Sequence, residues 1–94
     1  MEVRFYHDAE SGQPQVLRHG LSQAEVEEVL RGPGEDLPAR RNSRMTLGRT
    51  MAGRFLAVIY VPDVDPGDVF VITAYELKGK AKKAFRRRQR SRRA

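Results

Sequence analysis

A short amphipathic helix is the clearest feature in the pattern of hydrophobic and polar residues. Ser22 occupies an N-cap position, and Glu25 follows three residues later, the spacing at which each side chain can satisfy a free backbone N–H. The stretch Gly32-Pro33-Gly34 is typical of a helix end. Three apolar residues share one helical face: Val26, Val29 and Leu30. The pattern therefore predicts a helix that is capped by Ser22, ends before Gly32 and buries one face.

Stretches rich in β-branched and aromatic residues predict the strands of one sheet. VRFYH at the amino terminus indicates an edge strand followed by a loop. Met45 and Leu47 alternate with polar residues, which predicts a half-exposed strand reaching about Arg49. RFLAVIYV and DVFVITAYE are nearly continuous apolar runs around PDVDPG, as in a hairpin of two central strands. The stretch EDLPARRN, residues 35–42, has no periodicity and is predicted to be a loop.

A second helix is predicted near the carboxyl end. Ala81, Ala84 and Phe85 stand at helical spacing, so a short helix should dock through Phe85. Beyond Arg88 almost no apolar surface remains to order the chain. We therefore expect a single α+β domain over residues 1–88 and a disordered Arg-rich tail over residues 89–94. The predicted order is strand, helix, three strands and helix, with a helix packed on one face of a mostly antiparallel sheet.

The positive charge of the chain is confined to its carboxyl end. The 94 residues have a formal net charge of +6, but residues 78–94 hold ten Lys or Arg and no acid, whereas residues 1–77 hold eight bases and twelve acids. Such a run binds phosphate through salt-sensitive contacts, and Arg suits planar phosphate contact better than Lys. A solubilising or membrane-binding segment is the alternative. The residues expected to bind nucleic acid are Lys80, Lys83, Arg86, Arg87, Arg88 and Arg90.

Composition narrows the chemistry further. The chain has no cysteine, which excludes a disulfide framework and a thiolate nucleophile, and its two histidines are too few for the usual kind of zinc site. We expect no metal and no cofactor. The amino terminus lacks a basic segment followed by an apolar run, and no stretch approaches the roughly 18 apolar residues of a spanning helix. A cytoplasmic protein without membrane contact is the expectation.

Three stretches carry a family resemblance: RHGLSQAEVEEVL, GRTMAGRFLAVIYV and VFVITAYELKG. In the first, Arg18-His19-Gly20 opens an acidic helix. In the second, Gly48-Arg49-Thr50 and Gly53-Arg54 mark the two sides of a hairpin. In the third, a small residue precedes the polar end of an apolar strand. With these landmarks, over roughly Val16 to Lys83, the chain resembles the BrnT group of bacterial toxins and related uncharacterised small domains.

The resemblance implies a fold similar to RelE and a ribonuclease held inactive by a DNA-binding antitoxin. RNA and an antitoxin protein are therefore the implied partners. One position departs from the family pattern: the toxins typically read Ser-Ala-Arg where this chain has Thr73-Ala74-Tyr75. A tyrosine cannot supply the positive charge with which an arginine would stabilise a phosphorane.

Metal-free RNA cleavage needs a base, an acid and a cation that stabilises the phosphate. His19 and Tyr75 are the proton-transfer candidates, with Glu76 and Lys78 as further ones, and three arginines are candidate phosphate clamps. Several have a structural alternative: His19 could bond a backbone carbonyl near the helix start, Arg49 and Arg54 could pair with acids, and Tyr75 could be an interface or half-buried sheet residue. The resulting set of catalytic candidates is His19, Arg44, Arg49, Arg54 and Tyr75.

Two functions are compatible with these residues. The first is an RNA-cleaving, toxin-type protein that uses the sheet face bearing Arg44 and Arg54 together with His19. The second is a non-catalytic module that binds RNA or protein on the same scaffold, and Tyr75 in place of an arginine favours it.

Overall fold

The computed structural model describes residues 1–93, with the backbone alone for Arg18, Arg92 and Arg93. Within this range the chain forms one five-stranded sheet, two α-helices and two short 3₁₀ segments, Gln15–His19 and Arg40–Asn42. The strands are β1 (Val3–Phe5), β2 (Glu35–Pro38), β3 (Arg44–Arg49), β4 (Phe55–Pro62) and β5 (Val69–Glu76). The helices are α1 (Gln23–Arg31) and α2 (Gly79–Arg93).

The sheet is mixed and has β4 at its centre. Its strand order is β1-β5-β4-β3-β2. The pairs β2–β3, β3–β4 and β4–β5 are antiparallel, whereas β1 lies parallel to β5 at the edge. A mostly antiparallel sheet with a central hairpin and an amino-terminal edge strand is what the hydrophobic pattern predicts, and the structure confirms it.

Helix α1 packs on one face of the sheet and forms the main core. The Ser22 hydroxyl accepts a hydrogen bond from the Glu25 backbone N–H at 3.1 Å, and the Glu25 carboxylate accepts one from the Ser22 N–H at 3.0 Å, so the predicted capping box is present. Val26 and Val29 are fully buried. They pack against inward-facing residues of β4 and β5: Leu56, Val58, Val71 and Ala74.

Helix α2 covers one end of the opposite sheet face. Successive residues of a strand point to opposite faces, so the side chains that meet α2 alternate with those that meet α1. Phe85 is 2% exposed, and its ring meets the ring of Phe55 edge to face with centroids 5.9 Å apart. The predicted docking through Phe85 is thus confirmed. The residues that form this second core with Phe85 are Leu47, Ala57 and Leu77.

An ion pair also attaches α2 to the sheet. Glu35 is buried, and its two carboxylate oxygens accept hydrogen bonds from Nε and Nη2 of Arg88 at 2.7 and 2.8 Å. Such a two-pronged pair matches the planar fork of the guanidinium. Arg88, which the sequence analysis assigns to nucleic-acid binding, is therefore engaged within the protein.

The prediction of a loop over residues 35–42 is wrong for its first half. Residues 35–38 form β2, which pairs with β3 from Glu35 opposite Leu47 to Pro38 opposite Arg44. The order is thus strand, helix, four strands and helix, rather than the predicted three strands. Local propensity for a strand is low here because of the acids and Pro38, but an edge strand needs ladder hydrogen bonds on one side only. Pairing with β3 overrides the local preference.

Helix α2 continues beyond Arg88 to Arg93. The sequence pattern predicts disorder over residues 89–94, of which Ala94 lies outside the described residues. In the structure Gln89 is partly buried against the body, whereas Arg90 and Ser91 are exposed. The division of the chain at residue 88 stays a prediction. Between residues 1 and 93 no helix, α2 included, combines the length and the apolar composition needed to cross a membrane.

Candidate functional site

Arg54 lies at the centre of an ion-pair cluster at one end of the sheet. Its Nη1 donates to both carboxylate oxygens of Glu25 at 3.2 and 3.0 Å, and its Nη2 donates to Glu76 Oε1 at 3.2 Å. Nη1 also donates to the carbonyl oxygen of Gly20 at 3.4 Å. One guanidinium thereby joins the β3–β4 hairpin to the start of α1 and the end of β5.

The charges of this cluster stabilise one another. The hydrogen bond from the Ser22 backbone holds the pKa of Glu25 below its ordinary value, and Arg54 adds to this effect against the opposing effect of partial burial. The hydrogen bond to Glu76 and the charge of Glu25 raise the pKa of Arg54. A phosphate that approached Arg54 would compete with two carboxylates, which favours a structural role for this arginine.

His19 lies next to the Arg54 cluster without being part of it. It ends a 3₁₀ segment and precedes Gly20, whose φ of 74° is left-handed. The His19 side chain is exposed, and its ring has no hydrogen-bond partner in the described part of the chain. Within the described range the imidazole therefore lacks the expected contact with a backbone carbonyl, and it is exposed to solvent.

Arg44 belongs to a separate cluster around Asp36. Its Nε donates to Asp36 Oδ2 at 2.6 Å, while the hydroxyls of Thr46 and Tyr60 donate to Oδ1 at 3.1 and 2.5 Å. Burial would raise the pKa of Asp36, but these hydrogen bonds lower it overall. Because Arg44 starts β3 and Arg54 follows the turn at its other end, roughly 16 Å of strand separates them. The two arginines thus do not share one phosphate site.

Tyr75 lies on the sheet face that α2 partly covers. It is 43% exposed, and its hydroxyl lies 3.9 Å from Met45 Sδ. The neighbouring Glu76 points to the other face, where it contacts Arg54. Among the five catalytic candidates, His19 and Arg54 are linked through Gly20, whose carbonyl oxygen accepts a hydrogen bond from Arg54. Arg44, Arg49 and Tyr75 lie elsewhere on the sheet.

A groove opens between α2, the β3–β4 turn and the loop that follows α1, and its volume is about 320 Å³. Two phenylalanines, Phe55 and Phe85, line it, and none of its lining residues is Asp or Glu. Glycines let the surrounding elements approach closely, since a Cβ on Gly48 would lie 2.8 Å from Val29 Cγ1. We call this the arginine groove, after its polar lining residues: Arg49, Arg86, Gln89 and Arg90.

Arg49 is held over the arginine groove by its neighbours. Its Cζ lies 6.0 Å from the centroid of the Phe55 ring, and a Cβ on Gly53 would lie 3.6 Å from its Nη2. Gly53 has a φ of 94°, a conformation that favours glycine. Arg86 Cζ and Lys82 Nζ lie 5.8 and 5.4 Å from the same ring centroid. Cations from two elements therefore converge on one aromatic ring.

Among the described side chains, none is an acidic partner of the arginines of this groove. Among the described side chains, the ion pairs engage Arg4, Arg31, Arg44, Arg54 and Arg88. None of these pairs includes Arg49, Arg86 or Arg90. Three like charges around a concave surface without a carboxylate produce a positive potential that an anion would relieve.

The outer side of α2 extends this cationic surface. Lys80, Lys83 and Arg87 are exposed, and Lys83 and Arg87 line a shallow depression together with Arg86 and Arg90. Five of the six residues predicted to bind nucleic acid thus form one exposed surface. The sixth is Arg88, which pairs with Glu35.

The arginine groove also contains a polar group that the sequence analysis missed. Nε2 of Gln89 is buried and has no hydrogen-bond partner among the described residues. A buried donor without a partner costs about 1–3 kcal/mol, so such atoms are uncommon. No pattern in the sequence identifies Gln89, Lys82 or Phe55 as site residues, because only tertiary packing brings α2 against the hairpin.

Comparison with known proteins gives one match. A family model described as "Domain of unknown function (DUF4258)" matches residues 13–76. No curated protein and no solved structure matches the chain. The match includes α1 and the hairpin with Arg49 and Arg54 but ends before α2, so the arginine groove combines one arginine from inside the matched region with two from outside it. Since the model spans most of the chain, this protein belongs to the DUF4258 family.

Proposed function

We propose that this protein is a non-catalytic module that binds single-stranded RNA through Arg49 and the cationic side of α2. The observation that carries the proposal is the surface of cations on α2 and in the arginine groove, which, Arg88 apart, have no acidic partner among the described side chains. Guanidinium groups bind phosphate oxygens through paired N–H donors, and exposed lysines add charge along the backbone. We propose RNA rather than another polyanion because the sequence resembles that of RNA-acting proteins.

The surroundings of the catalytic candidates support binding rather than cleavage. Arg44 and Arg54 each have carboxylate partners, so neither offers a free positive charge to a phosphorane. His19 and Tyr75, the two proton-transfer candidates, lie in different parts of the molecule, His19 beside the Arg54 cluster and Tyr75 on the other sheet face. Acid, base and cation are therefore not assembled around one place where a phosphate could react.

A toxin-type, metal-independent ribonuclease is the second candidate function. Its support is the position of His19, an exposed imidazole whose neighbour Gly20 contacts Arg54 beside Glu25 and Glu76. Phosphate binding there would require Arg54 to exchange a carboxylate for the substrate. A RelE-like assignment of the fold and an antitoxin partner belong to this candidate.

The binding proposal can be tested by fluorescence anisotropy with a short labelled single-stranded RNA at several NaCl concentrations. Lys83→Ala/Arg87→Ala removes two charges from α2, and Arg40→Ala/Arg41→Ala removes two exposed charges from the β2–β3 turn as a matched control. Each lost phosphate contact lowers the slope of log K against log salt by roughly 0.7 on single strands. We expect the α2 variant to lower the slope by about 1.4 and the control to leave it unchanged.

Equal loss of affinity in both variants would mean that net charge, rather than α2, governs binding. Absence of binding by the wild-type protein at low salt would remove the proposal altogether. A single-stranded DNA of the same sequence, measured in parallel, distinguishes RNA binding from general single-strand binding.

A further inference from the structure

The arginine groove differs chemically from the outer side of α2. The outer side has only a shallow depression lined by cations, whereas the groove is lined by two phenylalanines as well as by arginines and encloses about 320 Å³. This volume lies at the lower end of the range for small-ligand sites. A group with several acceptor oxygens and a compact shape would fit the groove better than an extended strand.

The charge in the groove exceeds that of one backbone phosphate. Arg49, Arg86 and Arg90 contribute three positive charges, and no lining residue is acidic. The buried carboxylate of Glu35 is engaged by Arg88. A phosphodiester carries one negative charge, whereas a phosphate monoester carries about −1.5 to −2 near pH 7 and has three terminal oxygens.

The polar groups of the groove are almost all donors. Each guanidinium offers N–H groups and cannot accept a hydrogen bond, and the buried Nε2 of Gln89 is a further donor that has no partner among the described residues. Arg49 and Arg86 are oriented by the Phe55 ring, which reduces the entropy that their side chains would lose on binding. A ligand rich in acceptors would satisfy the guanidinium groups, and an acceptor that reached Nε2 of Gln89 would satisfy that donor too.

We infer that the arginine groove binds a terminal phosphate monoester of an RNA strand, with Arg49, Arg86 and Arg90 contacting its oxygens. The inference rests on the proposed RNA binding, since the outer side of α2 would hold the rest of the strand. The same chemistry would accept a free nucleoside monophosphate, which is therefore included as a competitor in the test.

The experiment compares labelled RNAs of one sequence that end in a 5′-phosphate, a 3′-phosphate or two hydroxyl groups. Binding is followed by anisotropy for the wild type, Arg49→Ala and Arg87→Ala, of which the last removes the same charge outside the groove. We expect the wild type to bind one phosphorylated RNA about tenfold more tightly than the hydroxyl form, as for a charge-assisted contact. Arg49→Ala should lose this preference, and Arg87→Ala should weaken all three RNAs equally and keep it.

A neutral variant provides a second test within the groove. Gln89→Leu leaves the charge unchanged and removes the buried donor, and it should reduce the preference for the phosphorylated end. Thermal unfolding of each variant verifies that it is folded.

The outcomes separate the two proposals. Equal binding of phosphorylated and hydroxyl RNA by the wild type would overturn the monoester site and leave RNA binding intact. A preference that Arg49→Ala and Arg87→Ala reduce equally would also overturn the site. No binding of any RNA would overturn both proposals. If a nucleoside monophosphate competes at the same concentration as the phosphorylated RNA, that result would support the phosphate chemistry of the groove but overturn RNA as the source of the phosphate.

Discussion

Arg54 is an example of a residue whose surroundings decide between a structural and a catalytic interpretation. The sequence places it in a hairpin motif and makes it a candidate phosphate clamp. The structure pairs it with Glu25 and Glu76, which approach from two different elements. An isolated arginine would attract phosphate, but one that already has two carboxylate partners mainly stabilises the hairpin.

Replacement of Arg54 by alanine should destabilise the fold. Glu25 and Glu76 would lose their shared partner, and their like charges would remain near each other. We expect the melting temperature to fall by a few degrees, measured by circular dichroism. Arg31→Ala is the control, since it removes an exposed pair with Glu27 one turn away on α1 and should have almost no effect. Equal melting temperatures for wild type and Arg54→Ala would contradict the structural role.

His19 leads to the opposite expectation. Its ring is exposed and without a hydrogen-bond partner in the described range. His19→Ala should therefore leave the melting temperature unchanged within about a degree. A clear loss of stability would restore the structural interpretation of this histidine.

The ionisation of the Glu25 and Asp36 carboxylates determines how the stability of the fold should depend on pH. The pKa of each is lowered in the folded protein, from ordinary values of 4.5 and 3.8. A lowered pKa means that the unfolded chain takes up the proton first. The stabilisation is therefore fully present above the ordinary values and is lost as the pH falls through the lower pKa values of the folded state.

Urea unfolding at a series of pH values should show a constant free energy of unfolding near neutrality and a decline below about pH 4.5. Glu25→Gln should lower the stability near neutrality and make the decline shallower. An unchanged pH profile in Glu25→Gln would show that this carboxylate does not contribute.

At the level of elements, the geometry of the β3–β4 hairpin explains the residue types in its sequence motif, Gly48-Arg49-Thr50 and Gly53-Arg54. Gly48 lets β3 approach α1, the Thr50 hydroxyl accepts a hydrogen bond from the Arg54 N–H at 3.0 Å, and Gly53 adopts a positive φ. Gly48, Thr50 and Gly53 thus have structural roles that favour these residue types at their positions. Arg49 points into the arginine groove, which makes it the motif residue most directly available for binding.

The contact between β3 and α1 can be tested at Gly48. In Gly48→Ala the new methyl group would press on Val29 Cγ1, and overpacking of this kind costs about 1–3 kcal/mol. Val29→Ala relieves the contact, so the double variant should lose less stability than the two single variants together. Additive losses in denaturant unfolding would contradict the close approach of these two elements.

Helix α2 depends on one aromatic anchor and one ion pair. Phe85→Ala should lower the free energy of unfolding by about 3–5 kcal/mol, or release α2 while the sheet stays folded. Far-ultraviolet circular dichroism distinguishes these results, since release alone removes helical signal at low temperature. Ala84→Gly in the same helix is a milder control, expected to cost about 1 kcal/mol. A fully native spectrum and stability in Phe85→Ala would contradict this docking.

The sequence predicts the local elements well and the long-range ones poorly, for physical reasons. The capping box of α1 and the apolar runs of β4 and β5 are encoded by neighbouring residues. Strand β2 is not, because it forms through pairing with β3 and through the contact of Glu35 with Arg88. The arginine groove is missed for the same reason, since Arg49 and Gln89 are far apart in the chain and meet only when α2 docks.

In the whole molecule, charge is divided between an acidic body and a cationic helix. Residues 1–77 carry more acids than bases, whereas residues 78–94, most of which form α2, carry the entire positive excess. An RNA strand should therefore approach α2 and be repelled elsewhere, which orients it toward the arginine groove. This division explains why the protein is basic overall although residues 1–77 are mildly acidic.

The most direct test of this account is a gel assay of end-labelled single-stranded RNA incubated in EDTA with the wild type, Arg49→Ala and His19→Ala. We predict intact RNA in every lane, a mobility shift with the wild type and His19→Ala, and a weaker shift with Arg49→Ala. Discrete cleavage by the wild type that disappears in His19→Ala would contradict the account and establish a metal-independent ribonuclease at the Arg54 cluster instead.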